Sequence, residues 1–201
     1  MNLDDLRARI GAIDLRASLA RSGDPIEMGG ELGTIAGGWP RPGVSEVSGR
    51  VGAGRLRLLL PAVRALTHTS WVAVVDPLHL LHPPGLAGVR LERLIHVRPG
   101  PEQAGWATEQ ILRAGAVPLV VLLDPPAVGR LGFKLAHAAE QGRSSLVVLT
   151  ERGNSRLGVD LRLQVGGQSE GRVRLRVVKR RGAPGGDWRW VHTPDPVPSG
   201  P

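Results

Sequence analysis

Three segments, 71–76 (WVAVVD), 118–124 (PLVVLLD) and 145–150 (SLVVLT), carry almost no polar side chain before their last residue. A strand with one face in water alternates polar and apolar residues; a run this uniformly apolar needs cover on both faces. Helical patterns lie between the runs. Residues 103–113 form one, with Gly115 behind it as a stop signal, and 130–141 form another, with Leu131, Leu135 and Ala138 on one face. Gly142 follows the second as its expected C-cap. Shorter strands are expected at 44–48 and 94–97. A further helix is expected at 55–66, where Leu56, Leu59, Leu60 and Val63 share a face and Pro61 should kink or shorten it. Strand and helix in alternation demand an α/β fold, a mostly parallel sheet flanked by helices. Ligands meet such sheets at the carboxyl ends of the strands. The turn 49–54, Asp76, Asp124 and residues 150–152 therefore belong along one edge.

Beyond Arg152 the period changes to two. Leu157, Val159, Leu161, Leu163 and Val165 alternate with polar residues or glycine, and Val173, Leu175 and Val177 alternate with Arg172, Arg174 and Arg176. Residues 166–171 link the runs, so a C-terminal β-hairpin is expected. At the other end, Leu3, Leu6, Ile10 and Ile13 recur at helical spacing over 3–20, an amphipathic helix that can cap its own core or dock on a partner. Residues 28–43 are Gly-rich and hold no strong period. The expected organisation is an N-terminal helix and linker over 1–27, a core over 28–182 and a flexible Gly/Pro/Trp tail over 183–201. Without cysteine there is neither a disulfide nor a thiolate zinc site. The acidic start has no apolar run, and the longest apolar run is far too short to span a bilayer. These features set the expectation of a cytoplasmic protein without membrane contact.

Gly49-Arg50-Val51-Gly52-Ala53-Gly54-Arg55-Leu56 stands between a strand and a helix with the spacing of a phosphate-binding loop. A working loop continues with Lys, which reaches the terminal phosphates, and Ser or Thr, which holds magnesium. Here Arg55 and Leu56 occupy those places. Arginine pairs with phosphate but is no free substitute for a compact ammonium, and leucine has no oxygen for a metal. The loop reads as a degenerate phosphate site built from Gly49, Gly52, Gly54 and Arg55. His79 and His82 have metal-like spacing, but in a Leu/Pro loop without a nearby carboxylate they read as packing residues, and no metal site is expected.

The formal charge is +8, and of the 26 basic residues only Lys134 and Lys179 are lysine; the rest are arginine. A GC-rich coding sequence produces the same bias without any function. The densest positive region joins Arg162, Arg172, Arg174 and Arg176 to Lys179, Arg180 and Arg181. Such a stripe can track the phosphates of a nucleic acid, or keep an edge strand from pairing with other chains. Trp188 and Trp190 follow closely and can stack on bases or fill a partner's pocket.

Several stretches resemble one family in order and spacing. They are Gly37-Gly38-Trp39-Pro40-Arg41 with Val44-Ser45-Glu46-Val47-Ser48-Gly49, then Val74-Val75-Asp76-Pro77-Leu78-His79, then residues 111–117 (ILRAGAV) with PLVVLLD, and last Val177-Val178-Lys179-Arg180-Arg181-Gly182. Over about residues 28–182 the chain resembles the ImuA-type RecA-like proteins of bacterial damage-induced mutagenesis cassettes. The resemblance implies a RecA-like P-loop core in which Asp124 is the metal-site aspartate. It puts Leu78 where RecA-like ATPases carry the glutamate that activates water, and Arg152 where they carry a sensing glutamine. It implies a non-catalytic accessory factor of SOS-induced translesion synthesis, without a catalytic residue or an obligatory cofactor. Its partners would be DNA, RecA and a polymerase-like protein, and it would restrain RecA recombination. Docking on RecA would fall to Leu3, Leu6, Ile10 and Ile13, since RecA protomers join through such a segment. The alternatives are a slow ATPase in which Arg55 serves for lysine, and an SOS cell-division inhibitor.

Overall fold

The computed structural model describes residues 23–126, 131–153, 157–181 and 184–193. The expected helix over 3–20 and the stretch 194–201 lie outside them. Eight strands form one sheet in the order β3-β2-β4-β5-β1-β6-β7-β8. They are β1 Gly43–Ser48, β2 Val72–Val75, β3 Leu94–Val97, β4 Leu119–Leu123, β5 Ser145–Thr150, β6 Leu161–Ser169, β7 Arg172–Arg180 and β8 Arg189–His192. Strands β1 to β6 pair in parallel, and β7 and β8 add antiparallel. The helices are α1 Gly30–Ala36, α2 Leu60–Thr69, α3 Ala104–Ala114 and α4 Gly132–Gln141.

Strand alternation sorts the apolar side chains into two layers. Val72, Val74, Leu119, Val121, Val147 and Leu149 face a core shared with α1 and α2. Ala73, Val75, Val120, Leu122, Leu146 and Val148 face a second core under α3 and α4. This double burial is why the central strands read as unbroken apolar runs. Helices α3 and α4 pack on β1, β2, β4 and β5. On that same side β7 presents Arg172 and Arg174 to solvent, and β8 presents Trp190.

Several local expectations change. The helix expected at 55–66 begins as a single 3-10 turn, Leu56–Leu58, and turns α-helical only at Leu60. Pro61 sits in that first turn, where its missing N–H leaves no bond unmade. The Gly-rich stretch 28–43 hides α1, a seven-residue helix closed by Gly37 in the left-handed conformation. Gly142 is the C-cap of α4, as expected, with a right-handed φ of −82. It is glycine because a Cβ there would lie 1.7 Å from the carbonyl oxygen of Leu112; Arg143 takes the positive φ instead. Strand β6 runs on to Ser169, so the link to β7 contracts from 166–171 to Glu170 and Gly171, both at positive φ. The stretch assigned to a flexible tail contains β8, whose Val191 is fully buried. On the amino-terminal side, Ile26 bridges to Trp39 and is buried, so the core reaches into 1–27. Among the described residues no helix is long and apolar enough to cross a membrane.

Candidate functional site

The loop after β1 meets the carboxyl end of β4. Gly49, Gly52 and Gly54 all hold positive φ, and Gln168 of β6 ties the loop down by donating to the Gly52 carbonyl at 2.8 Å. Arg55 points at Asp124, with Nη1 donating to Oδ1 at 2.6 Å and Nη2 to Oδ2 at 2.7 Å. Both side chains are largely buried, 6% and 12% exposed. The planar fork of arginine matches a carboxylate in this two-point fashion, which a lysine cannot do. Arg55 and Asp124 line a cleft of about 330 Å³ with Val51, Leu80, Leu123 and Gln168. Arg55 and Asp124, expected from the sequence at a phosphate and a metal position, are thus paired to each other. The α-helix that follows starts only at Leu60, so no helical N-terminus directly continues the glycine turn.

Asp76 ends the second strand and is fully buried. It accepts the backbone N–H of Leu80 at 2.8 Å and of Leu81 at 2.9 Å, and lies 3.2 Å from His96 Nε2. Burial by itself raises a carboxyl group, but the Leu81 and Leu80 amides and His96 outweigh it and hold Asp76 below its ordinary value. Asp76 therefore organises the loop that carries Leu78 and Leu80, both exposed. The partnership with His96 of β3 had no signal in the chain, because it joins residues from adjacent strand ends. A carboxylate held low stabilises the fold above its unfolded pKa, and the gain is lost as pH falls through the folded value. We expect Asp76→Asn to cost about 1–3 kcal/mol at neutral pH. The deficit should shrink as pH drops below about 4. Urea melts across that range check it; a deficit independent of pH would contradict the assignment.

The basic residues of the C-terminal half divide among three environments. Arg162 donates to Glu46 Oε2 at 2.5 Å and to the Leu157 carbonyl at 3.1 Å. Glu46 is fully buried and also accepts from the Thr150 hydroxyl at 3.0 Å. Arg162 is therefore a structural ion-pair partner. Arg180 pairs with Leu161, an inward position, and reaches the Ile35 carbonyl near the end of α1 at 3.2 Å. Arg181 stands 3.9 Å from Asp160. Lys179 lies opposite Arg162 in the ladder, across from Arg180. The run Lys179-Arg180-Arg181 is thus split between the two faces of the sheet.

Arg172, Arg174 and Arg176 stay together on the face away from Val173, Leu175 and Val177. They meet the two tryptophans there. The Arg174 and Arg176 guanidiniums lie 5.2 and 5.1 Å from the Trp188 ring centroid, and that of Arg172 lies 5.7 Å from Trp190. Each is within cation–π range. Arg176 also donates to Gln164 at 2.8 Å. Trp188 rests on Gly166, where a Cβ would come within 2.9 Å of the ring. Gly166 is also the extra residue of a β-bulge, since Val165 pairs with Leu175 and Gly167 with Arg174. No known protein-family model matches the chain, and no curated protein matches it significantly.

Proposed function

We propose that this protein is a non-hydrolysing RecA-like accessory factor of damage-induced translesion synthesis. It contacts DNA, RecA and a polymerase-like partner, and it restrains recombination by RecA. The observation that carries the reading is the bidentate Arg55–Asp124 pair, 2.6 and 2.7 Å, at the edge where a nucleotide would be processed. A nucleotide entering there must break a largely buried ion pair to reach either group. Leu56 offers no metal ligand, and Leu78 cannot accept a proton. What is left is a scaffold: a mostly parallel sheet with its glycine turn locked, suited to docking on a related core without turnover.

Two measurements test it. Purified full-length protein should show no steady ATP turnover; turnover that survives repurification and that Asp124→Ala abolishes would favour the slow-ATPase reading instead. The same protein should reduce DNA strand exchange or filament length of RecA. The docking segment of the reading, with Leu3, Leu6, Ile10 and Ile13, lies outside the described residues. Each Leu or Ile buried at such a contact is worth roughly 1.5–3 kcal/mol. Leu6→Asp with Ile10→Asp should therefore abolish the inhibition while leaving the melting curve unchanged. Full inhibition by the folded double variant would remove that segment from the contact, and absence of inhibition by the wild type would remove the function.

A further inference from the structure

We infer that the open face of β7 and β8 is a binding platform for single-stranded nucleic acid, with Trp190 stacking on bases and Arg172, Arg174 and Arg176 taking phosphates. The inference rests on the DNA contact of the reading above and gives it a surface, a strandedness and a binding mode.

Two features of that face set it apart from an ordinary solvated strand. The first is the state of its charges. Among the described residues, neither Arg174 nor Arg176 has a carboxylate partner, and Arg172 has only the exposed Glu170 at 3.7 Å. Arg162 and Arg181, by contrast, each have a carboxylate in reach. The second is the arrangement of its aromatics. Arginine and indole interleave across two paired strands, with Arg174 opposite Trp190 in the ladder and Trp188 between Arg174 and Arg176. Guanidiniums at alternate strand positions repeat about every 6.8 Å, a scale on which an extended nucleic acid strand presents successive phosphates. Trp190 remains 47% exposed, so part of its ring is free to stack. Bases offer their flat faces only when unpaired, and such stacking tolerates any sequence. An arginine–indole platform whose one acidic neighbour among the described residues is the exposed Glu170 fits a single strand better than an acidic protein surface, which would use the charges and leave the ring idle.

The experiment uses the full chain, without RecA, and a labelled oligothymidylate of about 16 nucleotides. Binding is followed by anisotropy across a salt series and by quenching of tryptophan fluorescence. The wild type should bind the single strand more tightly than the same length of duplex and should be quenched on binding. Trp190→Ala should weaken binding about tenfold with little change of salt slope, and Trp190→Phe should restore much of it. Replacing Arg172, Arg174 and Arg176 together by Gln should flatten the log–log salt slope by about 2. Arg162→Gln should leave that slope unchanged. Unaltered binding by the folded triple variant would overturn the inference, as would equal affinity for duplex without quenching, or no oligonucleotide binding at all. If the triple variant loses RecA inhibition while the wild type never bound the oligonucleotide, the face docks protein, and the inference fails while the accessory function stands.

Discussion

Asp124→Ala is expected to cost about 3–5 kcal/mol of folding stability, because it leaves the Arg55 guanidinium charged, largely buried and without its bidentate acceptor. Arg55→Ala should cost a similar amount by stranding the carboxylate. Arg55→Met combined with Asp124→Leu removes both charges, and should come out near the wild type or a little above it, since the attraction of a buried pair barely exceeds the cost of drying it. Chemical denaturation of the wild type, Arg55→Met, Asp124→Leu and the double variant closes a double-mutant cycle. A strictly additive cycle would mean that the two side chains do not depend on each other, and would remove the physical basis for a site locked from within.

Glu46→Ala is expected to have an effect of comparable size in the middle of the sheet. Glu46 sits in the middle of the sheet, fully buried, between Val148 of β5 and Arg162 of β6 in the parallel ladders. Its two oxygens serve Thr150 and Arg162. Truncation takes the carboxylate away from both donors, which costs about 3–5 kcal/mol when the charged partner stays behind. Glu46→Gln preserves the shape and can still accept one bond, so it should lose distinctly less. A loss under about 1 kcal/mol for Glu46→Ala would show that Arg162 relaxes to solvent. It would then belong with the exposed cations of β7 on the same face of the sheet.

Glu46 was legible only as one polar residue in a short strand, and Arg162 only as one member of an arginine stripe. A charge pattern in sequence reports which residues share a strand face. It does not report whether a carboxylate waits on the neighbouring strand, because β1 and β6 meet across more than a hundred residues. The same blindness hid that Lys179, and not Arg180, shares the face of Arg176. The ladder pairs Arg162 with Lys179 and then Leu163 with Val177, so Val178 is bulged out. A bulge resets which side chain faces which way, and period-two reasoning cannot see one coming.

By itself the sequence determined the class of fold and the edge at which the carboxyl ends of its strands gather. Runs such as PLVVLLD can be buried on both sides only in a sheet covered by helices, and the spacing of helix and strand patterns leaves parallel pairing as the way to arrange them. It also determined that Leu56 can hold no metal, since that depends on the side chain's own atoms. Tertiary structure alone decided that Arg55 and Asp124, at the ends of different elements, neutralise each other. It alone decided that Trp190 lies in an ordered strand across from Arg174, with Trp188 just before that strand against Arg174 and Arg176, and not in a free tail. The physical reason is one of range. Burial preference and hydrogen-bonding capacity belong to each residue and its near neighbours, so periodicity displays them. Which two charges meet, and which ring rests on which guanidinium, depends on strands brought together from distant parts of the chain.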